Sequence, residues 1–355
     1  MDDSALCPKV FILILNWNGW KDTIECLESV FRIDYPAYRV IVCDNASEDG
    51  SLEYIKSWAE GRLDVAIPMD TPLRHLSFPP VPKPIPYVQY DREQAEKGGD
   101  PAVDVPLTLI QTGGNLGFAG GNNVGLRYAL ARGDFDYVWL LNNDTVVRPG
   151  ALARMADRMS EKPGAGMCGS TLFYYHEPDK VQLLGGLTHN KWLGISRHIG
   201  QYQSATLGTD GRHVERQMAY VAGASMLVSK SFLEDVGLMC EDYFLYGEEL
   251  DWILRAKGCY ALAYAPESLV YHKVGSTTGD SNHRGGEKSI ASDYFLIRSR
   301  LMITHKFFPC ALPTVYLGLA LTLSNRARRR QWNRLSLVLR VAWRTLCEAL
   351  VGVRR

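Results

Sequence analysis

VWLLNNDTVVRPG, residues 138–150, runs an apolar stretch directly into Asn142, Asn143 and Asp144. A hydrophobic strand that ends in short amide and acid side chains delivers oxygen ligands to the carboxyl edge of a sheet, where open α/β folds hold their ligands. Asp144 is therefore a candidate ligand for a hard divalent cation, and such a cation implies a bound phosphate or diphosphate.

The sequence on either side supports that geometry. VFILIL (10–15) and RVIVC (39–43) read as buried parallel strands. Between them, Trp20 to Phe31 carries Ile24, Leu27, Val30 and Phe31 at helical spacing, which completes a βαβ unit. SLEYIKSWAE predicts a second helix, with Ser47 close before it as a cap. LTLIQT (107–112) predicts the next strand and NNVGLRYALARG its following helix. Beyond 150 come the helix ALARMADRMSEK, a strand-rich stretch to about 220, and, after Tyr243, another helix and a strand (YALAYA, then SLVYH). The expected class is α/β, with a mostly parallel central sheet and flanking helices. The first strand ends in Asn16, Trp17 and Asn18 and the second in Asp44 and Asn45, so several strands offer polar groups to one crevice.

An apolar fraction of 46% over 355 residues excludes a disordered chain and allows one large α/β domain with an appendage, or two ordinary domains. The eight cysteines form no CxxC pair, which argues against a zinc knuckle or disulfide scaffold and for thiols in a reducing cytosol. VFILIL is short, follows Asp2 and Asp3 and has no small-residue cleavage site after it, so it reads as a strand rather than a signal peptide. Residues 68–106 hold nine of the seventeen prolines, including FPPVPKPIP. They read as an extended surface insertion, or as a lid or partner-binding segment of polyproline type.

The neutral total hides a basic tail. Nine arginines against Glu348 give residues 326–355 a formal +8 and leave the first 325 residues at −8. The apolar run at 311–323 is too short to read as a bilayer span. On a helical wheel Arg330, Arg334, Arg340, Arg344 and Arg355 oppose Trp332, Leu335, Leu339, Trp343, Leu346 and Leu350, while Leu337 and Val341 interrupt the polar face. Peripheral contact of 311–355 with an anionic membrane is one reading; packing on its own domain, or on a partner in a homo-oligomer, is the other. Nucleic acid fits poorly, because the charge is confined to one apolar-backed helix.

GGNLGFAGGNN (113–123) is a glycine-rich turn before a helix, suited to close approach by a nucleotide. It lacks both the GxGxxG spacing and a P-loop lysine, which argues against hydride transfer and ATP hydrolysis. FLYGEELDWILRA (244–256) sets Glu248, Glu249 and Asp251 at a helix start. Acids there suit the helix dipole, and one of them can also serve as a general base. His272, which ends SLVYH, offers an imidazole to the cation at Asp144 or simply packs.

Taken in order, LNWNGW, VCDNASEDGS, NLGFAGGNN, LLNNDT, AGASMLV, FLYGEELDWILRA and VYHKVGSTTG resemble a family 2 inverting glycosyltransferase, in the rhamnosyltransferase and cell-wall or O-antigen subgroup. The resemblance covers roughly residues 8–305 and leaves 306–355 as a helical, arginine-rich extension. It implies a GT-A fold, a nucleotide-diphosphate sugar donor, a glycan or lipid-linked acceptor, and a divalent cation, Mg²⁺ or Mn²⁺. It further implies a cytoplasmic enzyme, peripheral on the inner face of the membrane. By the same resemblance Asp44 contacts the base, with Asn45 beside it, and Asn16, Trp17 and Asn18 lie beside the nucleoside. Asn115, Gly117, Gly121 and Asn122 match the donor loop, Asn143 lies near the ribose or diphosphate, and Asp144 and His272 hold the metal. Glu249 stands where the family has an aspartate base, with Glu248 as the other candidate and Asp251 completing the motif. A nucleotide-sugar binder without activity, or a nucleotidyltransferase of similar sheet plan, are the competing readings. LNWNGWKD lacks the glycine-rich basic loop of the latter.

Overall fold

The computed structural model describes residues 7–64, 67, 69, 71–205, 210–274 and 289–352. The amino-terminal half runs through β1 (Val10–Asn16), α1 (Trp20–Val30), β2 (Tyr38–Asp44), α2 (Ser51–Ala59), β3 (Tyr87–Asp91), α3 (Arg92–Glu96), β4 (Leu107–Gln111), α4 (Gly117–Arg132) and β5 (Tyr137–Asn142). It continues with β6 (Thr145–Val147), α5 (Ala151–Glu161), β7 (Ala165–Tyr174), β8 (Val181–Leu184), β9 (Gly186–Asn190), β10 (Ile195–His198), α6 (Gly211–Gln217), β11 (Tyr220–Val221) and β12 (Ser225–Ser229). α7 (Lys230–Val236), α8 (Glu248–Arg255) and β13 (Ala261–His272) lead into α9 (Ile290–Phe307), α10 (Leu312–Arg328) and α11 (Trp332–Gly352).

Ten strands join in one sheet of order β3-β4-β2-β1-β5-β12-β7-β13-β6, with β8 beside β7. β3 through β5 are mutually parallel, and β12 and β6 run against their neighbours. The unbroken apolar sequence of β1 and β2 follows from cover on both faces. Val10, Ile12, Ile14, Val40 and Val42 pack with Ile24 and Leu27 of α1 and Ile55 and Trp58 of α2. The alternate residues Phe11, Leu13, Ile41 and Cys43 pack with Val124 and Tyr128 of α4. Pairing places Asn16 opposite Asp44, Asp44 opposite Gln111 and Leu15 opposite Asn142, so the polar strand ends stand level along one edge.

The proline-rich stretch packs on the sheet as well as reaching the surface. Leu73, Leu76, Val81 and Ile85 are buried, β3 extends the sheet beside β4, and α3 follows it directly. Edge position explains how a strand can follow five prolines, since its outer N–H groups need no ladder partner. Buried Glu28 on α1 anchors the segment: its carboxylate accepts from Val81 N (2.7 Å), Lys83 Nζ (2.9 Å) and Trp58 Nε1 (2.8 Å). One smaller expectation also changes. Gly50, not Ser47, precedes α2, and Ser47 is held by Asp44. YALAYA and SLVYH lie in one strand, β13, whose register slips between Ala265 and Leu269, where Pro266 interrupts the ladder.

α9, α10 and α11 share an apolar core of Ile297, Leu301, Val315, Leu319, Val338 and Val341. The expected boundary at 305/306 falls inside α9, which is tied to α8 through Lys306 Nζ on Asp251 Oδ2 (2.6 Å). Val341, which breaks the polar face on the wheel, packs in this core with Val338, whereas Trp332, Leu339 and Trp343 are exposed. No described helix is long and apolar enough to cross a membrane.

Replacing Glu28 by alanine leaves Lys83 and two buried N–H groups without their acceptor. We expect a loss of about 3–5 kcal/mol in urea unfolding; a change under about 1 kcal/mol would show that the proline-rich segment is not anchored there.

Candidate active site

A row of hydrogen bonds crosses the ends of β5, β1, β2 and β4. Asn143 Nδ2 donates to Thr23 Oγ1 (3.1 Å), and Thr23 Oγ1 donates to Asn16 Oδ1 (2.8 Å). Asn16 Nδ2 donates to Asp44 Oδ1 (2.7 Å), and Gln111 Nε2 donates to Asp44 Oδ2 (3.0 Å). Ser47 adds its hydroxyl to Asp44 Oδ1 (2.6 Å) and its N–H to Oδ2 (3.0 Å). Asn16, Asp44 and Asn143 are all buried. Asp44 thus has four donors on two oxygens, and reading a base through it requires one of them to yield. Trp17 is partly exposed at the same edge, and Asn18 closes the first loop by accepting from Glu48 N (2.8 Å).

The glycine-rich turn hangs on Asn45. Its Nδ2 donates to Asn115 Oδ1 (3.0 Å) and Gly117 O (3.1 Å), while its Oδ1 accepts from Leu116 N (3.1 Å). Gly117 has φ +72°, and a Cβ there would lie 2.3 Å from Phe244 O, so only glycine fits this contact. Phe118 N donates to that same carbonyl at 2.8 Å, which joins the donor turn to the Phe244–Gly247 loop. The positions of Gly121 and Asn122 on α4 are set by packing. A Cβ on Gly121 would meet Leu15 at 2.5 Å, so this residue lets α4 lie on β1, and Asn122 is buried with its Nδ2 on Phe118 O of its own helix. Neighbouring Asn123 pins Met239 and Glu241 to α4.

Asp144 and His272 do come together. His272 Nε2 stands 3.0 Å from Asp144 Oδ1, and both side chains are buried. Burial pushes the Asp144 carboxyl up, but the charge and hydrogen bond of His272, with Lys273 nearby, outweigh it and hold the group below the usual carboxylate range. His272 Nδ1 lies 3.1 Å from Oε1 of Gln182, a buried residue of β8. If Nδ1 donates to that oxygen, the tautomer leaves a lone pair on Nε2, as a metal ligand needs. One carboxylate and one imidazole at this separation fit adjacent positions on an ion with ligands about 2.1 Å away; the distance equally fits a direct hydrogen bond, so the donor types carry the fit. Among the described residues no group of three His, Cys, Asp or Glu side chains forms a metal cage. The strand end is held by Lys273, whose Nζ reaches Asp22 (2.5 Å) and Glu25 (2.6 Å). The rest of the VYHKVGSTTG motif beyond Val274 lies outside the described residues.

The three acids of α8 separate by environment. Asp251 is fully buried between Arg255 (2.8 Å) and Lys306 (2.6 Å), an anchoring role rather than a catalytic one. Glu248 is also buried and its Oε2 has no hydrogen-bond partner; burial, reinforced by Glu249, pushes its carboxyl well up. Glu249 is half-buried and accepts from Gly223 N (3.2 Å), and burial raises its carboxyl as well. A Cβ on Gly223 would sit 2.5 Å from Glu249 Oε1. Asn142 N donates to Ala224 O (3.1 Å), so Gly223 brings Glu249 beside the strand end that leads to Asp144. The AGASMLV motif therefore seats the candidate base, which its residue types alone do not reveal. Gln182 gives no sequence signal at all, being one glutamine in a strand-rich stretch.

These elements together make a GT-A fold with a candidate metal pair and an acceptor-side carboxylate. Residues 11–69 and 92–226, more than half the chain, match Glycosyl transferase family 2. The chain belongs to that family. It is 27% identical over 187 residues to the N-acetylglucosaminyl-diphospho-decaprenol L-rhamnosyltransferase of Mycobacterium tuberculosis, covering 49% of this chain and 61% of that one. It is 25% identical over 160 residues to the low-salt glycan biosynthesis hexosyltransferase Agl10 of Haloferax volcanii, covering 42% and 46%. The match thus spans about half the length of these relatives. Among solved structures, the mannosyltransferase PcManGT of Pyrobaculum calidifontis, in complex with GDP-Man and Mn²⁺, superposes with TM-score 0.52 at 16% identity, over 97% of this chain and 88% of that one. GalNAc-T7 with UDP, GalNAc and Mn²⁺ gives 0.51 at 12% identity, over 83% and 48%. Both show the same fold.

Gln182→Leu should weaken Mn²⁺ binding by about 10- to 100-fold in the presence of nucleoside diphosphate, read by electron paramagnetic resonance. Unchanged affinity would remove Gln182 from the site. Gly223→Ala should displace the Glu249 carboxylate and lower kcat by about 10²-fold with little change in donor affinity; wild-type turnover would separate Glu249 from the reaction.

Proposed function

We propose that this chain moves a sugar from a nucleoside-diphosphate donor to a hydroxyl of a glycan or lipid-linked acceptor in cell-surface polysaccharide synthesis, by a single inverting displacement. The observation that carries this reading is the seating of Glu249 on Gly223, next to the strand end that bears Asp144. Glu249 takes the acceptor hydroxyl proton as that oxygen bonds to the anomeric carbon and the bond to the diphosphate oxygen breaks. Asp144 and His272 would hold the divalent cation, which supplies charge stabilisation for the departing diphosphate. An imidazole in the ligand set favours Mn²⁺ over Mg²⁺. The nucleoside lies along the Trp17, Asn18 and Gln111 edge, with Asp44 behind it, Asn115 at the donor turn, and Asn143 holding the first loop. The names of the two relatives favour a rhamnosyl or other hexosyl donor. The rhamnosyltransferase's named acceptor favours a lipid-linked one, met at the cytoplasmic face of the membrane through 311–355.

Glu249→Gln should abolish transfer and leave donor binding within a few-fold, measured by product formation and calorimetry; full activity would place the base elsewhere. Glu248→Gln replaces a carboxyl that burial keeps protonated, so transfer should persist. Its folded-state affinity for the proton is raised, so wild type loses stability as pH climbs above the ordinary carboxylate range, and the glutamine variant should flatten that slope. Because Glu249 is also raised, kcat/KM should climb with pH through a limb above the ordinary carboxylate range. A flat profile there would contradict a carboxylate base.

A further inference from the structure

The exposed apolar side chains of the carboxyl-terminal bundle do not stand alone. Leu317 and Leu321 of α10, and Trp332, Leu339 and Trp343 of α11, are 51–69% exposed. Trp332, Leu339 and Trp343 recur at intervals of seven and four residues, one stripe along α11, separate from the face on which Val338 and Val341 pack. α10 and α11 pack together across a turn of three residues, which makes them antiparallel neighbours. Counted outward from that turn at equal rise, Leu339 stands level with Leu321 and Trp343 with Leu317.

A second element reaches the same face from the catalytic half. The β9–β10 hairpin turns at Lys191–Gly194, and Trp192 there is 51% exposed, with Leu193 and Ile195 beside it also exposed. Thr314 Oγ1 of α10 donates to Trp192 O (2.5 Å), one helical turn from Leu317. A Cβ on Gly194 and one on Gly318 would both meet Arg300 at 2.9 Å, so the tip and α10 close around the same side chain of α9. The hairpin's other end is fixed near the base, since β9 pairs with β11 and β11 runs on to Gly223.

The charge around these groups has one sign. Residues 186–198 and 290–345 together hold twelve lysines and arginines and a single acid, Asp293. Asp293 is buried and bonded to Arg326 (3.0 Å) and Arg334, so it offers nothing to the surface. Arg328, Arg329 and Arg330 are exposed at the α10–α11 turn, directly before Trp332.

We propose that the hairpin tip and the outer faces of α10 and α11 form one composite docking surface for an anionic lipid bilayer, with Trp192 as its anchor on the catalytic half. Tryptophans and leucines enter the interfacial layer while the arginines meet lipid phosphates. Because the hairpin that carries the anchor pairs through β9 with β11, the strand that leads to Gly223, docking fixes the base relative to the lipid surface. This deepens the lipid-linked reading above, and rests on it only for the identity of the acceptor.

The test is co-sedimentation of the full chain with vesicles of phosphatidylglycerol in phosphatidylcholine, and with phosphatidylcholine alone, beside a Trp192→Ser/Leu317→Ser double variant and a Trp332→Ser/Trp343→Ser double variant. Wild type should bind the anionic vesicles, lose that binding in high salt and bind neutral vesicles weakly. Each double variant should lose about tenfold or more in partitioning while keeping its thermal unfolding midpoint. Absence of wild-type binding, or wild-type binding by the hairpin variant, overturns the composite surface. Self-association of wild type that the same variants abolish overturns it in favour of a second copy of the chain. Transfer to a water-soluble acceptor, run on the same preparations, separates the two readings: transfer without vesicle binding sinks only the docking surface, and vesicle binding without transfer sinks only the proposed reaction.

Discussion

Buried polar groups must find partners, and the edge of this sheet meets that demand with one continuous chain of side chains from Asn143 through Asn16 and Asp44 to Gln111. Each member is satisfied by its neighbour on the adjacent strand, so register and site geometry are a single constraint. A slip of one residue in β1 would turn Asn16 to the other face and take from buried Asp44 the donor that links it to β1. The loops after β1 and β2 inherit their shape from this chain, because Ser47 joins it on one side and Thr23 on the other. A preorganised edge of this kind meets a nucleoside without first paying to order its own loops.

Two close approaches join the glycine-rich turn to α8. At Gly117 the turn meets the carbonyl of Phe244, and at Gly223 the backbone meets the carboxylate of Glu249. Neither position has room for a methyl group. Asp144 and His272, the proposed cation ligands, are held independently, from Gln182 behind His272 and from the Lys273 contacts with Asp22 and Glu25 beside it.

Much of this was legible in the residues. The apolar runs of β1, β2 and β5 and the periodicity of α1 defined the sheet, and the polar strand ends lie at one edge because parallel strands share a direction. Asp144 and His272, 128 positions apart in the sequence, come within hydrogen-bond distance because β13 pairs with β6. Other roles were hidden for physical reasons. A glycine reads the same whether it admits a nucleotide or lets a helix lie on a strand, and the contact of Gly121 with Leu15 shows only in the structure. Asn122 and Asn123 are chemically identical, and only helix phase sets one inside α4 and the other on Met239. Prolines suggested a surface insertion, yet an edge strand tolerates them nearby and Glu28 supplies the anchor. The wheel of the tail showed Leu337 and Val341 only as breaks in a polar face, and the contacts show both packed with the helical extension.

The central claim is that one crevice binds cation and nucleoside diphosphate between the β5 strand end and Glu249. The most direct measurement is a crystal structure of the chain grown with Mn²⁺ and nucleoside diphosphate, with data at a wavelength where manganese scatters anomalously. The account predicts one strong anomalous peak within coordinating distance of Asp144 and His272, with the diphosphate against it and the nucleoside over Trp17 and Gln111. A peak coordinated elsewhere, with Asp144 and His272 still bonded only to each other, would contradict it.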